Sequence, residues 1–116
     1  MKTLDELLAQ CQQERKTEAV EVFGETFIVR EMSASERDAY EQLLYGQAGD
    51  KKAIIRNIRA TLVAFSVIDE QGNLRFGEDQ IEAIGKLPVS GINAIFNASA
   101  RLNAMSATDV KELEKN

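Results

Sequence analysis

Between Ala19 and Glu31 the apolar period of this chain is two, whereas on both sides of that stretch it is helical. Val20 and Val22 alternate with Glu21, Phe27 and Val29 alternate with Ile28 and Arg30, and Gly24-Glu25 sits where a two-residue turn wants a residue tolerant of positive φ. The segment reads as a β-hairpin at about residues 19–31. Two strands alone are marginal in water, so helices must cover the apolar face or another subunit's strand must extend it. Uncovered hairpin edges are also surfaces for association.

The rest of the chain supplies the helices. Thr3 with Glu6 has capping-box spacing, and Leu4, Leu7, Leu8 and Cys11 then share one face of a helix to about Arg15. That helix is expected to pack on its own domain, the alternative being a neighbouring subunit, with Cys11 half-buried. Ser33 with Glu36 repeats the capping box and opens a helix through Tyr40, Leu43 and Leu44 that Gly46 ends. After a Gly46–Asp50 linker, Asp50 caps the longest helix, whose stripe is Ile54, Ile55, Ile58, Leu62, Val63, Phe65 and, at its limit, Val67. Lys52, Arg56 and Arg59 share its opposite side: a solvated face on the ordinary reading, a docking stripe for an acidic partner on the sharper one. Asp69 to Asn73 is turn chemistry, with Leu74 and Phe76 folding back onto the core. Ile81, Ile84 and Leu87 then mark a short buried helix, and Pro88 fits the first turn of the next one. There Ile92, Ile95, Phe96 and Leu102 are anchors separated by small residues, and Asn93 and Asn97 read as exposed polar positions. Ser106 with Asp109 starts a last helix that only Val110 and Leu113 anchor. The expected fold is α+β and predominantly α-helical: five to six helices with one N-terminal hairpin, in one domain over residues 1–116 with a weakly held helix at 106–116.

The chemistry the chain lacks is as informative. Its 116 residues include no histidine, the commonest general base and the commonest transition-metal ligand, so Ser-His-Asp and Cys-His schemes are excluded. A magnesium site from Asp69, Glu70, Glu78 and Asp79 is the enzyme reading left, but acids stand in turns and at helix starts for structural reasons. No catalytic residue, metal ligand or cofactor is assigned. Nineteen acidic against fourteen basic side chains give a net charge of −5, which repels nucleic acid phosphate and anionic membrane surfaces. The single cysteine allows no intrachain disulfide and fits a reducing cytoplasm. No leader segment is recognisable, no apolar run approaches the roughly 20 residues a membrane span needs, and the sequon at Asn97 is discarded with secretion.

One resemblance goes further. The segments Glu25-Thr26-Phe27-Ile28-Val29-Arg30-Glu31, Ser33 with the helix Glu36 to Glu41, Val67 to Asn73, Arg101-Leu102-Asn103 and the tail Asp109 to Asn116 resemble, in that order, the tail assembly chaperones of long noncontractile-tailed, lambdoid siphovirus-type bacteriophages and their prophages. The resemblance implies a non-enzymatic factor of the bacterial host cytoplasm, absent from the mature virion. It would coat the tape measure protein, help recruit the major tail protein, associate with itself and share its domain with a longer, frameshifted form. Candidate contacts are the hairpin (Val22, Phe27, Val29), the small-residue helix (Ile92, Phe96) and the basic stripe (Lys52, Arg56, Arg59). The competing expectation is a small acidic inhibitor of phage origin that mimics DNA charge.

The family's frameshift bears on Glu114-Lys115-Asn116. Encoded GAA-AAA-AAC, these residues contain A-AAA-AAC, a heptamer on which both tRNAs can re-pair after slipping back. The gene is expected to carry it; sequencing that finds Glu114 or Lys115 codons ending in G removes this slippery site.

Overall fold

The computed structural model describes residues 1–45 and 51–105, with backbone alone for 45 and 51–57. Gly46 to Asp50 and Ser106 to Asn116, including the expected last helix and Glu114, Lys115 and Asn116, lie outside the described residues. In chain order the elements are α1 (Leu4–Glu14), β1 (Thr17–Val22), β2 (Glu25–Arg30), α2 (Ala34–Tyr45), α3 (Lys51–Ser66), β3 (Val67–Ile68), a 3-10 turn (Glu78–Gln80), α4 (Ile81–Ile84) and α5 (Val89–Leu102). The fold is α+β, with five α-helices among the described residues and an antiparallel sheet in the order β1-β2-β3.

The hairpin is where the sequence placed it, but its turn lies one residue earlier. Val22 pairs with Glu25, and Phe23 and Gly24 both adopt positive φ, 54° and 73°. That is the turn whose twist suits a two-residue hairpin. Gly24 takes its position freely; Phe23 is held there by tertiary contacts described below. The sheet's third strand is not signalled by periodicity. Helix α3 stops at Ser66, and Val67, assigned above to the limit of the helical stripe, is instead a fully buried strand residue opposite Val29. Asp69 Oδ1 accepts from the Gln71 and Asn73 amides at 2.9 and 3.0 Å and turns the chain back, so that Leu74 bridges to Ile68.

Helix α5 lies against β1 and β2 and against α3, while α2 and α4 flank α3. One cluster, with Val20, Phe27, Val29, Val63, Val67, Ile81, Ile84, Ile92 and Ile95, fills the space between the sheet and α3, α4 and α5. A second, with Met32, Tyr40, Leu44, Ile58, Leu62, Phe65 and Phe96, joins α2 to α3 and α5. Leu87, expected in the buried face of α4, is exposed at 43% because α4 ends at Ile84. Helix α5 closes at Asn103 with Ala104 at φ 52°, the Ala104 and Met105 amides donating to the Arg101 and Ala100 carbonyls at 3.1 and 2.9 Å. This is a Schellman ending with alanine where glycine is usual.

Both capping boxes are present. The second also anchors α1: Arg15 reaches Glu36 at 2.7 Å, and Arg30 lies 3.8 Å from the same carboxylate. Burial pushes the Glu36 carboxyl up, but the Ser33 amide and the two guanidiniums outweigh it and hold the group below the ordinary glutamate range. Burial, then Arg15, hold Arg30 low, with Glu36 opposing. A depressed native value means that the charged group stabilises the fold above about pH 4.3 and loses that contribution as pH falls through the native value. Comparing Glu36→Gln with the parent chain by urea unfolding, the parent's advantage is expected to be about 1 kcal/mol at neutral pH and to vanish in acid. A constant difference from pH 7 to 3 contradicts this.

Candidate functional site

Three surfaces of the described residues leave apolar side chains uncovered. The first lies at the hairpin tip. The Phe23 ring lies over Gly91, so close that an added Cβ there would stand 2.3 Å from Phe23 Cζ, and it meets Phe27 edge-on with centroids 6.1 Å apart. The Arg75 guanidinium stands 4.6 Å from the Phe27 centroid and donates to Glu25 at 3.1 Å. Gly91, Phe23, Phe27 and Arg75 therefore form one chain of contacts between α5 and the irregular segment that follows β3. The positive φ of Phe23 costs on the order of 1–3 kcal/mol, which these contacts offset. Phe23 remains 39% exposed, and Leu87 and Val89, which lead into α5, are 43% and 63% exposed. The hairpin tip and the start of α5 thus form an apolar end of the molecule. Beside it an open recess of about 410 Å³ runs along Glu21, Val22 and Glu25.

The second surface is α1. None of its residues is buried: Leu4 is 71%, Leu7 44% and Leu8 53% exposed, and Cys11 is exposed as well. This corrects both the expectation that the helix packs on its own domain and that of a half-buried Cys11. The reason is geometric. Arg15 and Lys16 tie the end of α1 to Glu31 and Glu36 at the sheet margin, and the helix leaves the core from there. An open groove of about 320 Å³ lies between Leu8 and Cys11 on one side and Met32 and Ser33 on the other. The third surface is a row across the outer face of the sheet, in which Ala19 pairs with Ile28, Ile28 with Ile68, and Ile68 with Leu74.

The residues singled out from sequence fall mostly elsewhere. Phe27, Val29, Ile92 and Phe96 are in the core, 6%, 0%, 4% and 2% exposed, and pack hairpin, α5 and α3 together. Buried so, they present no side chain to a partner. Val22 is half-buried beside the recess. Arg59 is half-buried on α3, and the side chains of Lys52 and Arg56 lie outside the described residues, as do Glu114, Lys115 and Asn116. Phe23, Leu87 and Val89 were missed. The signal for Phe23 was its place beside Gly24 in a two-residue turn, which an aromatic occupies only when something holds it.

Among the described residues, no three His, Cys, Asp or Glu side chains converge as a metal site, and no helix is long and apolar enough to cross a membrane. Asp69 is committed to its turn. Comparison of the chain with models of known protein families, with curated proteins and with solved structures finds no match.

The close approach of Phe23 to Gly91 can be measured. Gly91→Ala is expected to displace the ring and destabilise the parent chain. In a Phe23→Ala background the same change should stabilise by about 1 kcal/mol through helix propensity. A coupling of about 1–3 kcal/mol in the double-mutant cycle is the expected result; additive changes would show that the ring does not rest on α5.

Proposed function

We propose that this protein is a non-enzymatic assembly chaperone of long noncontractile phage tails, working in the cytoplasm of the bacterial host. Its client on this reading is the tape measure protein, a long helical chain whose apolar surface needs cover until tube subunits replace that cover. The major tail protein and a longer frameshifted form of the same chain are its further partners. The observation that carries the reading is the apolar end formed by Phe23, Leu87 and Val89. Three large apolar side chains are exposed there on a rigid support, a common property of protein-binding surfaces. The ordered resemblance of five segments to the tail chaperones supplies the client's identity.

The absence of histidine supports a binding role over catalysis. The surface is small and shallow, which suits contacts that are individually weak and readily displaced. A coat of many such subunits would hold an extended helix firmly while each subunit remained exchangeable. The inhibitor reading has less behind it. Glu18, Glu25, Glu36 and Glu41 are each paired with an arginine, so these acids are taken up by local structure and are not presented as a phosphate-like row.

Co-expression with a tape measure protein of a long noncontractile-tailed phage is the direct test. The parent chain is expected to raise the soluble fraction of tape measure protein several-fold. Phe23→Asp combined with Val89→Asp should remove the effect while the variant itself stays soluble and helical. A tape measure protein equally insoluble with and without the parent chain would overturn the proposal.

A further inference from the structure

Strand β1 ends the sheet: among the described residues only β2 pairs with it. The phase of the ladder shows which of its backbone groups are spent. The Glu31 amide donates to the Lys16 carbonyl at 2.9 Å, so Lys16 and Glu31 are a hydrogen-bonded pair. In an antiparallel ladder such pairs alternate with non-bonded ones. Glu18, Val20 and Val22 therefore turn their N–H and C=O groups toward β2, and Thr17, Ala19 and Glu21 turn theirs away from it. These three residues are exposed, and their backbone groups have no partner among the described residues. Proline, a bulge or a covering element commonly closes such an edge. Here the register runs unbroken from Thr17 to Val22, without proline. An inward charge is a further protection, but Glu18, which supplies it, is neutralised by Arg101 of α5 at 2.6 Å.

The side chains along the edge select what can join it. Val20 lies in the first core cluster, and Val22 and Ala94 are half-buried at the margin of that cluster. Apolar side chains at alternate positions of an added strand extend this row. On the other face Glu21 stands exposed beside the recess that Glu25 also lines, so cationic side chains at the intervening positions meet opposite charge. The six residues of β1 include two glutamates and no cation, so a second β1 laid along the first adds only like charge. The net charge of −5 acts in the same direction. Charge therefore favours a basic foreign strand over a second copy.

We propose that the free edge of β1 is a strand-addition site for an extended peptide in which apolar residues alternate with lysine or arginine. Backbone bonds at Thr17, Ala19 and Glu21 hold the peptide, and its alternation sets which face turns toward α5. The site uses none of the Phe23, Leu87 and Val89 side chains, and it stands without the tail-chaperone reading.

The probe is a short synthetic peptide, blocked at both ends, in which valine alternates with lysine. Amide hydrogen exchange of the full-length chain is followed by NMR. With peptide at about ten times its Kd, exchange of the Thr17, Ala19 and Glu21 amides is expected to slow about tenfold, while Val20, already bonded to β2, changes little. A peptide alternating valine with glutamate should bind more weakly, and Glu21→Lys should narrow or reverse that preference. Ala19→Pro removes an edge donor without breaking a bond to β2, a position where proline is tolerated. It should weaken binding roughly tenfold and leave the circular dichroism of the parent. Should Ala19→Pro fail to fold, methylation of alternate peptide nitrogens makes the same test: one set abolishes binding and the other keeps it. Edge amides unaffected by the lysine peptide up to its solubility limit overturn the proposal. So do edge amides already slow in the chain alone, which would mean that the edge is covered by the chain itself or by a second copy. Binding that survives both Ala19→Pro and either set of methyl groups also overturns it.

Discussion

A short polar connection through the middle of the molecule sets where the helices stand. Ser66, the last residue of α3, and Ser99 in α5 are both fully buried, and their hydroxyl oxygens lie 2.5 Å apart. The Asn103 side chain donates to the Ser99 carbonyl and accepts from the Met32 amide, both at 2.8 Å, so the end of α5 is tied to the entry of α2. Buried hydroxyls and amides left unpaired each cost more than their hydrogen bonds contribute, so any sliding of α3 along α5 is penalised. Ala98 and Ala100, the neighbours of Ser99 on α5, are buried small residues as well.

The sheet depends on the same contact. Because Ser66 is held against α5, the next residue, Val67, emerges beside β2 and pairs with Val29. The third strand exists through where α3 ends rather than through any β-propensity of a two-residue segment. With β3 in place the hairpin is no longer a lone two-stranded unit, and its inner face closes on α5 through Val20, Phe27 and Val29. The small-residue stretch of α5 and the inner face of the hairpin, each a plausible partner surface when considered alone, are used up on one another.

Beside the outer face of the sheet, the first helix and one end of the molecule remain outside this closure among the described residues. Both are apolar, and the routes of the chain separate them: α1 leaves at the Arg15–Glu36 pair, whereas Phe23, Leu87 and Val89 gather at the tip of the hairpin and the head of α5.

The capping boxes at Thr3 and Ser33, the hairpin, the Asp69–Asn73 turn and the anchors Ile58, Leu62, Ile92 and Ile95 were all legible in the sequence, because each is set by interactions within a few residues or by a one-dimensional period. The register of the turn was not. Gly24 permits either placement, and the ring of Phe23 chose by resting on Gly91, 68 positions away in the chain. Nor was the third strand, for Val67 is apolar whether it extends a helix or begins a strand, and the buried Ser66–Ser99 contact decided. Amphipathicity likewise announced α1 without saying what lies against it: a stripe of leucines records that a face seeks cover, and only the path of the chain past Arg15 shows that no described residue of the domain buries it. The sequence by itself determined which faces are apolar; the tertiary structure decided which of them were left over.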